Sequence, residues 1–248
     1  MAKTKEREKM SVPRKVILII AIIVFCGALG MLLQNYIKGA IVQHDFNQLK
    51  VNGTHDLVAL HKKNSDLVGW LEIKDTRIDY PVMQTPDDPE FYLRRNFEKK
   101  YSLAGTLFVD AASDLKKSEN YIIYGHNMKN GTMFHQLLKY EDRDFYNEHK
   151  TFEYDEYRDG RQLDGKYQVV AAFRTQIYPA GSDNFKYYEY AGISDKKTFD
   201  KYVKGIRALS AYDTGITPVW GEQLVTLSTC AYHTDEGRFV VVGRRISE

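Results

Sequence analysis

The chain has 248 residues, with 35 Lys and Arg against 33 Asp and Glu for a formal charge of +2, and the two signs are interspersed along it. A balance so near neutral, with no basic stripe, argues against a nucleic-acid partner. With 43% apolar residues and two cysteines, it is neither a disordered tail nor a small disulfide-stapled scaffold, and it is long enough to bury a substantial core.

From Val16 to Leu33 the sequence carries no charge, and the uncharged run continues to Ile37. At about 1.5 Å per helical residue this run can cross a hydrocarbon core of roughly 30 Å. Lys3, Lys5, Arg7, Lys9, Arg14 and Lys15 precede it, and the positive-inside rule puts them in the cytoplasm. The expected divisions are a cytoplasmic tail at 1–15, a transmembrane anchor at 16–37 and an extracytoplasmic remainder. A cleaved signal peptide is the rival reading. Against it, the run exceeds the usual apolar region of such peptides, and Gln34-Asn35-Tyr36-Ile37-Lys38 offers no small-x-small cleavage site. Residues 38–67 have weak helical periodicity, through Ile41, Phe46, Leu49, Leu57 and Leu60, broken near Asn52-Gly53. They read as membrane-proximal helices that pack on the domain and space it from the bilayer.

Residues 68–248 read as one β-rich domain. Aromatic and β-branched stretches separated by polar turns predict strands at 68–73, 78–84, 105–109, 121–124, 151–154, 166–176, 223–230 and 238–246. Helices are expected at 132–140 and at 194–209, where Phe199, Tyr202, Val203 and Ile206 recur at helical spacing behind Ser194 as a possible cap. About eight strands suggest a closed antiparallel barrel or a sandwich.

One cysteine, Cys26, lies in the apolar run, so Cys230 has no partner for an internal disulfide outside the membrane. It ends a predicted strand, Thr226-Leu227-Ser228-Thr229-Cys230, and Arg238 begins the next. An antiparallel connection between the two brings the thiol and the cation together. Positive charge favours a thiolate and can hold a developing oxyanion, so Cys230 is a candidate nucleophile and Arg238 its partner. By strand alternation Thr226 and Ser228 share the face of Cys230, which reads as a groove floor, and Thr226, Ser228 and Thr229 are expected to contact substrate. A thiol nucleophile also needs a base. Among the seven histidines, His44, His55, His61, His135 and His149 lie in or beside predicted helices, where facing solvent is the default. His126 follows the apolar strand Tyr121-Ile122-Ile123-Tyr124 and Gly125, at the end of a rigid element, and is favoured. His233, in the loop after Cys230, remains the alternative.

Three segments together resemble one family. Thr226-Leu227-Ser228-Thr229-Cys230 is similar to the TLxTC nucleophile motif of the sortases, Tyr124-Gly125-His126-Asn127-Met128 to their histidine segment, and Gly237-Arg238-Phe239-Val240-Val241 to their arginine strand. The serine at the variable position, the N-terminal helices and the helix before the cysteine strand resemble class B. The resemblance implies a mainly β fold with helices: a closed eight-stranded β-barrel with N-terminal helices and an inserted helix before the cysteine strand. It implies a membrane-anchored cysteine transpeptidase of a Gram-positive type of bacterium, with Cys230, His126 and Arg238 catalytic. Such an enzyme cleaves a C-terminal sorting signal on secreted proteins through a thioacyl intermediate. It then joins the new C-terminus to an amine of a cell-wall precursor or a pilin. No metal or cofactor is expected, and no acidic cluster stands out as a calcium site. A membrane-tethered cysteine hydrolase and a non-catalytic peptide-binding module are the competing classes.

Overall fold

The uncharged run forms part of a single helix, α1 (Val12–Asn47), whose apolar side chains point outward, with Ile17 and Phe25 each 67% exposed. The computed structural model describes residues 12–246. The basic residues Lys3, Lys5, Arg7 and Lys9 of the expected cytoplasmic tail lie outside the described residues. α1 is long and apolar enough to cross a membrane. It does not stop where the apolar run stops. No proline stands between Ile37 and Asn47, and Phe46 gives the last turns an apolar residue to bury.

Gly39 and Phe46 are both buried, and Phe46 meets the Tyr80 ring edge-on at 5.1 Å. Burying a phenylalanine contributes on the order of 2 kcal/mol, and a Lys50–Asp79 ion pair and a bond from Tyr80 Oη to Gln43 Oε1 of 2.9 Å add polar ties. The expected spacer is therefore partly a continuation of the apolar helix, docked on the domain. The break near Asn52-Gly53 is a tight turn with both residues at positive φ, followed by a short helix α2 (Leu57–Lys63) capped by Asp56. His55 and His61, expected to face solvent, are instead half-buried: His55 stacks on Trp70 and bonds to Asp155, and His61 stacks on Tyr157 and bonds to the Leu67 carbonyl.

Nine strands follow: β1 (Leu67–Glu72), β2 (Asp79–Met83), β3 (Leu107–Val109), β4 (Asn120–Tyr124), β5 (Thr151–Arg158), β6 (Arg161–Leu163), β7 (Lys166–Gln176), β8 (Leu224–Cys230) and β9 (Gly237–Arg245). They pair in the order β1-β2-β3-β4-β8-β9-β7-β5, and β1 pairs with β5 to close an eight-stranded ring, with β6 appended to β5 as a hairpin. The barrel is mixed rather than antiparallel, because β2–β3 and β4–β8 are parallel. Parallel neighbours need long crossovers, and the segment between β4 and β8 holds most of the domain's helical content. The helix expected at 132–140 is a 3-10 run at Phe134–Glu141 followed by α3 (Arg143–Glu148). The inserted helix α4 (Lys196–Leu209) is capped by Asp195, whose side chain accepts from Thr198 N, not by Ser194.

Strand alternation sorts two cores. Val225, Leu227, Ile123, Phe239 and Val241 fill the barrel interior. Ile122, Leu224, Val240 and Val242 face outward, where Phe199, Tyr202, Val203 and Ile206 of α4 and the Tyr187–Tyr190 turn cover them. With the outer face of β8 covered, Cys230 at its end is the only residue of the strand that is not fully buried.

Candidate active site

β4 and β8 run parallel with Tyr124 opposite Ser228. Continuing that register past the strand ends sets Gly125 beside Thr229 and His126 level with Cys230. Two bonds hold it: Gly125 N donates to Ser228 O at 3.1 Å, and Thr229 Oγ1 donates to Gly125 O at 2.7 Å. On the other side, antiparallel pairing sets Cys230 directly opposite Arg238 of β9. Adjacent strands are about 4.8 Å apart, so three neighbouring strands deliver the three residues side by side although more than a hundred positions separate His126 from Cys230. All three line one cleft of about 560 Å³, walled also by Leu93, Asp110, Tyr124 and Tyr188.

His126 is half-buried, and its Nε2 lies 2.8 Å from the Leu93 carbonyl. A carbonyl oxygen can only accept, so Nε2 carries the proton and the neutral ring keeps its lone pair at Nδ1. Burial lowers the His126 pKa below the usual 6.5, and nearby Arg94 lowers it further, while the bond to Leu93 works the other way. Arg238 donates from Nη1 to Gly237 O at 3.0 Å and from Nη2 to Glu236 at 3.2 Å. These bonds use two of the five guanidinium N–H groups. The side chain is 21% exposed. His233 is exposed in the turn, its Nδ1 3.1 Å from Ala231 O, and it does not line the cleft.

The expected groove floor divides. Ser228 and Thr229 border the cleft, but Thr226 does not, being fully buried with its hydroxyl bonded to Asn120 at 2.8 Å and Tyr202 at 2.5 Å. The Ser228 hydroxyl is likewise engaged, 2.6 Å from Tyr187 Oη. The hydroxyls of this strand face satisfy tyrosines packed over β8. Burial, opposed by the Ser228 bond and the Arg238 charge, pushes Tyr187 up to about 12.

One contact has no signature in the sequence. Asn127 Nδ2 donates to Cys230 O at 3.0 Å, and Asn127 Oδ1 lies 2.8 Å from Nδ1 of His135. The carboxamide clips the loop after His126 to the backbone of the cysteine and fixes the end of β8.

A family model described as the sortase domain matches residues 71–246. The chain is 33% identical over 214 residues to sortase B of Listeria monocytogenes, covering 84% of this chain and 82% of that protein. It is 31% identical over 191 residues to sortase B of Staphylococcus aureus, covering 76% and 73%. A crystal structure of Staphylococcus aureus sortase B superposes with a TM-score of 0.69 at 26% identity, over 86% of this chain and 99% of that one.

Proposed function

The chain belongs to the sortase family, as a class B cysteine transpeptidase, and we propose that Cys230, His126 and Arg238 carry its chemistry at the membrane surface. The observation that carries the assignment is the register of three adjacent strand ends, with Cys230 opposite Arg238 and level with His126 in one cleft.

In this reading Nδ1 of His126 takes the Cys230 thiol proton, and the resulting thiolate attacks the carbonyl carbon of the scissile bond in a C-terminal sorting signal. The carbonyl electron pair moves to oxygen, where Arg238 N–H groups not held by Gly237 and Glu236 meet the negative charge. Collapse of the adduct breaks the C–N bond. The departing amine takes a proton from Nδ1 of His126, leaving a thioester on Cys230 and a neutral imidazole. An incoming amine attacks the thioester, gives its proton back to Nδ1 and expels the thiolate. The Leu93 carbonyl holds Nε2 throughout, so one nitrogen performs both transfers. Ser228 and Thr229 border the bound peptide through backbone and side-chain edges, while Thr226 supports the strand from beneath. The partners are secreted proteins bearing a sorting motif and an amine of a cell-wall precursor or a pilin. Residues 16–37 anchor the enzyme in the cell membrane, with residues 1–15 cytoplasmic, 38–67 membrane-proximal and 68–248 forming the extracellular catalytic domain.

The test is to incubate the detergent-solubilised full chain with a sorting-signal peptide library and candidate amines, reading products by mass spectrometry. Amine-capped peptide from the wild type and none from Cys230→Ala is the expected result. Acid product alone, at every amine concentration, would make the enzyme a hydrolase instead.

A further inference from the structure

The last turns of α1 do not float above the barrel. Gly39 is buried against Asn130, close enough that a Cβ there would lie 3.2 Å from Asn130 Cγ. Arg77 Nη1 reaches the Asn130 carbonyl at 3.3 Å, and Arg77 N meets Gln136 at 2.5 Å. Two loops, 73–78 and 128–131, thus meet the helix two residues beyond the end of its apolar run. The rise from Ile37 to Gly39 is about 3 Å. The polar layer on each side of a bilayer is roughly 5–7 Å thick, so these loops lie at headgroup level. That placement rests on the anchor reading of residues 16–37.

Their exposed side chains match such a level. Lys74, Arg77 and Lys129 are exposed, as is Lys38 on the helix itself. Among the described residues none of the four forms an ion pair, whereas Lys50 and Lys99 nearby in the fold each hold a carboxylate. The one acidic residue within the two loops is Asp75, which leaves cations in excess there. Between helix and loops lies a cavity of about 290 Å³ lined by Tyr36, Gln43, His44, Asn47 and Arg77. Tyr36, 70% exposed at the end of the apolar run, is the residue type that settles at a membrane interface.

We propose that Lys74, Arg77 and Lys129 form a basic platform that rests on anionic phospholipid headgroups beside the anchor and holds the catalytic domain in one orientation on the membrane. The platform is joined to the cleft. Asn130 Oδ1 caps Thr132, Met133 N donates to Tyr80 Oη, which in turn donates to Gln43 of α1, and Phe134 N donates to the carbonyl of His126 at 2.9 Å. Headgroup contact therefore braces the loop that follows His126.

The experiment places the full chain in nanodiscs of phosphatidylcholine alone or with about one-third phosphatidylglycerol and follows hydrogen exchange in peptides covering 73–78 and 127–134. Each lysine or arginine near an anionic surface contributes about fivefold in affinity, so exchange in these peptides should slow at least fivefold in the anionic discs. The slowing should vanish in a Lys74→Gln, Arg77→Gln, Lys129→Gln variant. It should also vanish for wild type in about 1 M salt, where the Debye length falls to about 3 Å. The salt arm needs no mutant to fold. Equal exchange in the two lipids, with the protein co-eluting with the discs, overturns the platform alone. A chain that does not co-elute overturns the anchor reading and the platform with it.

Discussion

Gly125 is the residue on which the position of His126 turns, and replacing it with alanine tests the geometry directly. A Cβ at this position would lie 2.4 Å from Leu107 Cδ2 and 2.7 and 2.9 Å from two ring atoms of Phe134. Both neighbours are fully buried in the barrel core, so neither can swing into solvent, and the backbone of Gly125 is held by Ser228 and Thr229. Forcing a methyl into a packed core costs about 1–3 kcal/mol, which for a domain of this size lowers Tm by roughly 2–12 °C. The strain moves the next residue, and a misplacement near 1 Å at a catalytic group costs about a hundredfold in rate. Gly125→Ala should therefore melt earlier by differential scanning calorimetry. At 25 °C, where it remains folded, its kcat/KM should fall about a hundredfold. Adding Leu107→Val removes the shortest contact, so the double variant should be less destabilised than the sum of the singles. A Gly125→Ala enzyme with wild-type Tm and activity would refute the close approach and the reading of His126 built on it.

Four further outcomes follow from the same geometry. His126→Ala should lower kcat/KM by at least about a hundredfold, whereas His233→Ala, in an exposed turn, should have little effect; the reverse pattern in folded proteins would transfer the role. Arg238→Lys keeps a charge but loses the planar fork, and at about 1.5–3 kcal/mol for a hydrogen bond to a charged group its kcat/KM should fall roughly ten- to hundredfold; full activity would reduce Arg238 to a surface cation. Asn127→Asp cannot donate to the Cys230 carbonyl, so kcat should drop roughly five- to hundredfold, with circular dichroism unchanged, and a fully active variant would leave the clip without a role. Because burial lowers the His126 pKa in the fold, its contribution to stability is complete above pH 6.5 and is lost as pH falls through the depressed folded value. Urea midpoints should therefore fall less between pH 7 and 5 in His126→Gln than in wild type, and identical slopes would contradict the burial argument.

Much of this was legible in the residues. Aromatic and β-branched stretches between polar turns marked seven of the strands closely, and the helical recurrence of Phe199, Tyr202, Val203 and Ile206 marked α4. What escaped depends on contacts distant in sequence. Alternation says that Thr226 and Ser228 share a face but not what covers it; Tyr202 and Tyr187 decide that from 24 and 41 positions away. Periodicity carries no sign of strand direction, so the parallel pairs β2–β3 and β4–β8 were invisible, as was the three-residue β6. A single carboxamide bonding a backbone carbonyl, as Asn127 does, leaves no pattern at all.

The place of β8 and β9 in the ring sets the order in which the domain can assemble. Seventh and eighth of the ring's strands in chain order, they stand between β4 and β7, so a chain emerging N-terminus first must wait with both flanks of the gap exposed until these strands follow. The waiting edges at β4 and β7 are open templates for mispairing, and non-local pairings of this kind are slow to form. Under the proposed anchoring, α1 holds the chain at the membrane before its barrel can shut, and the proposed nucleophile arrives on β8, one strand before β9 completes the ring.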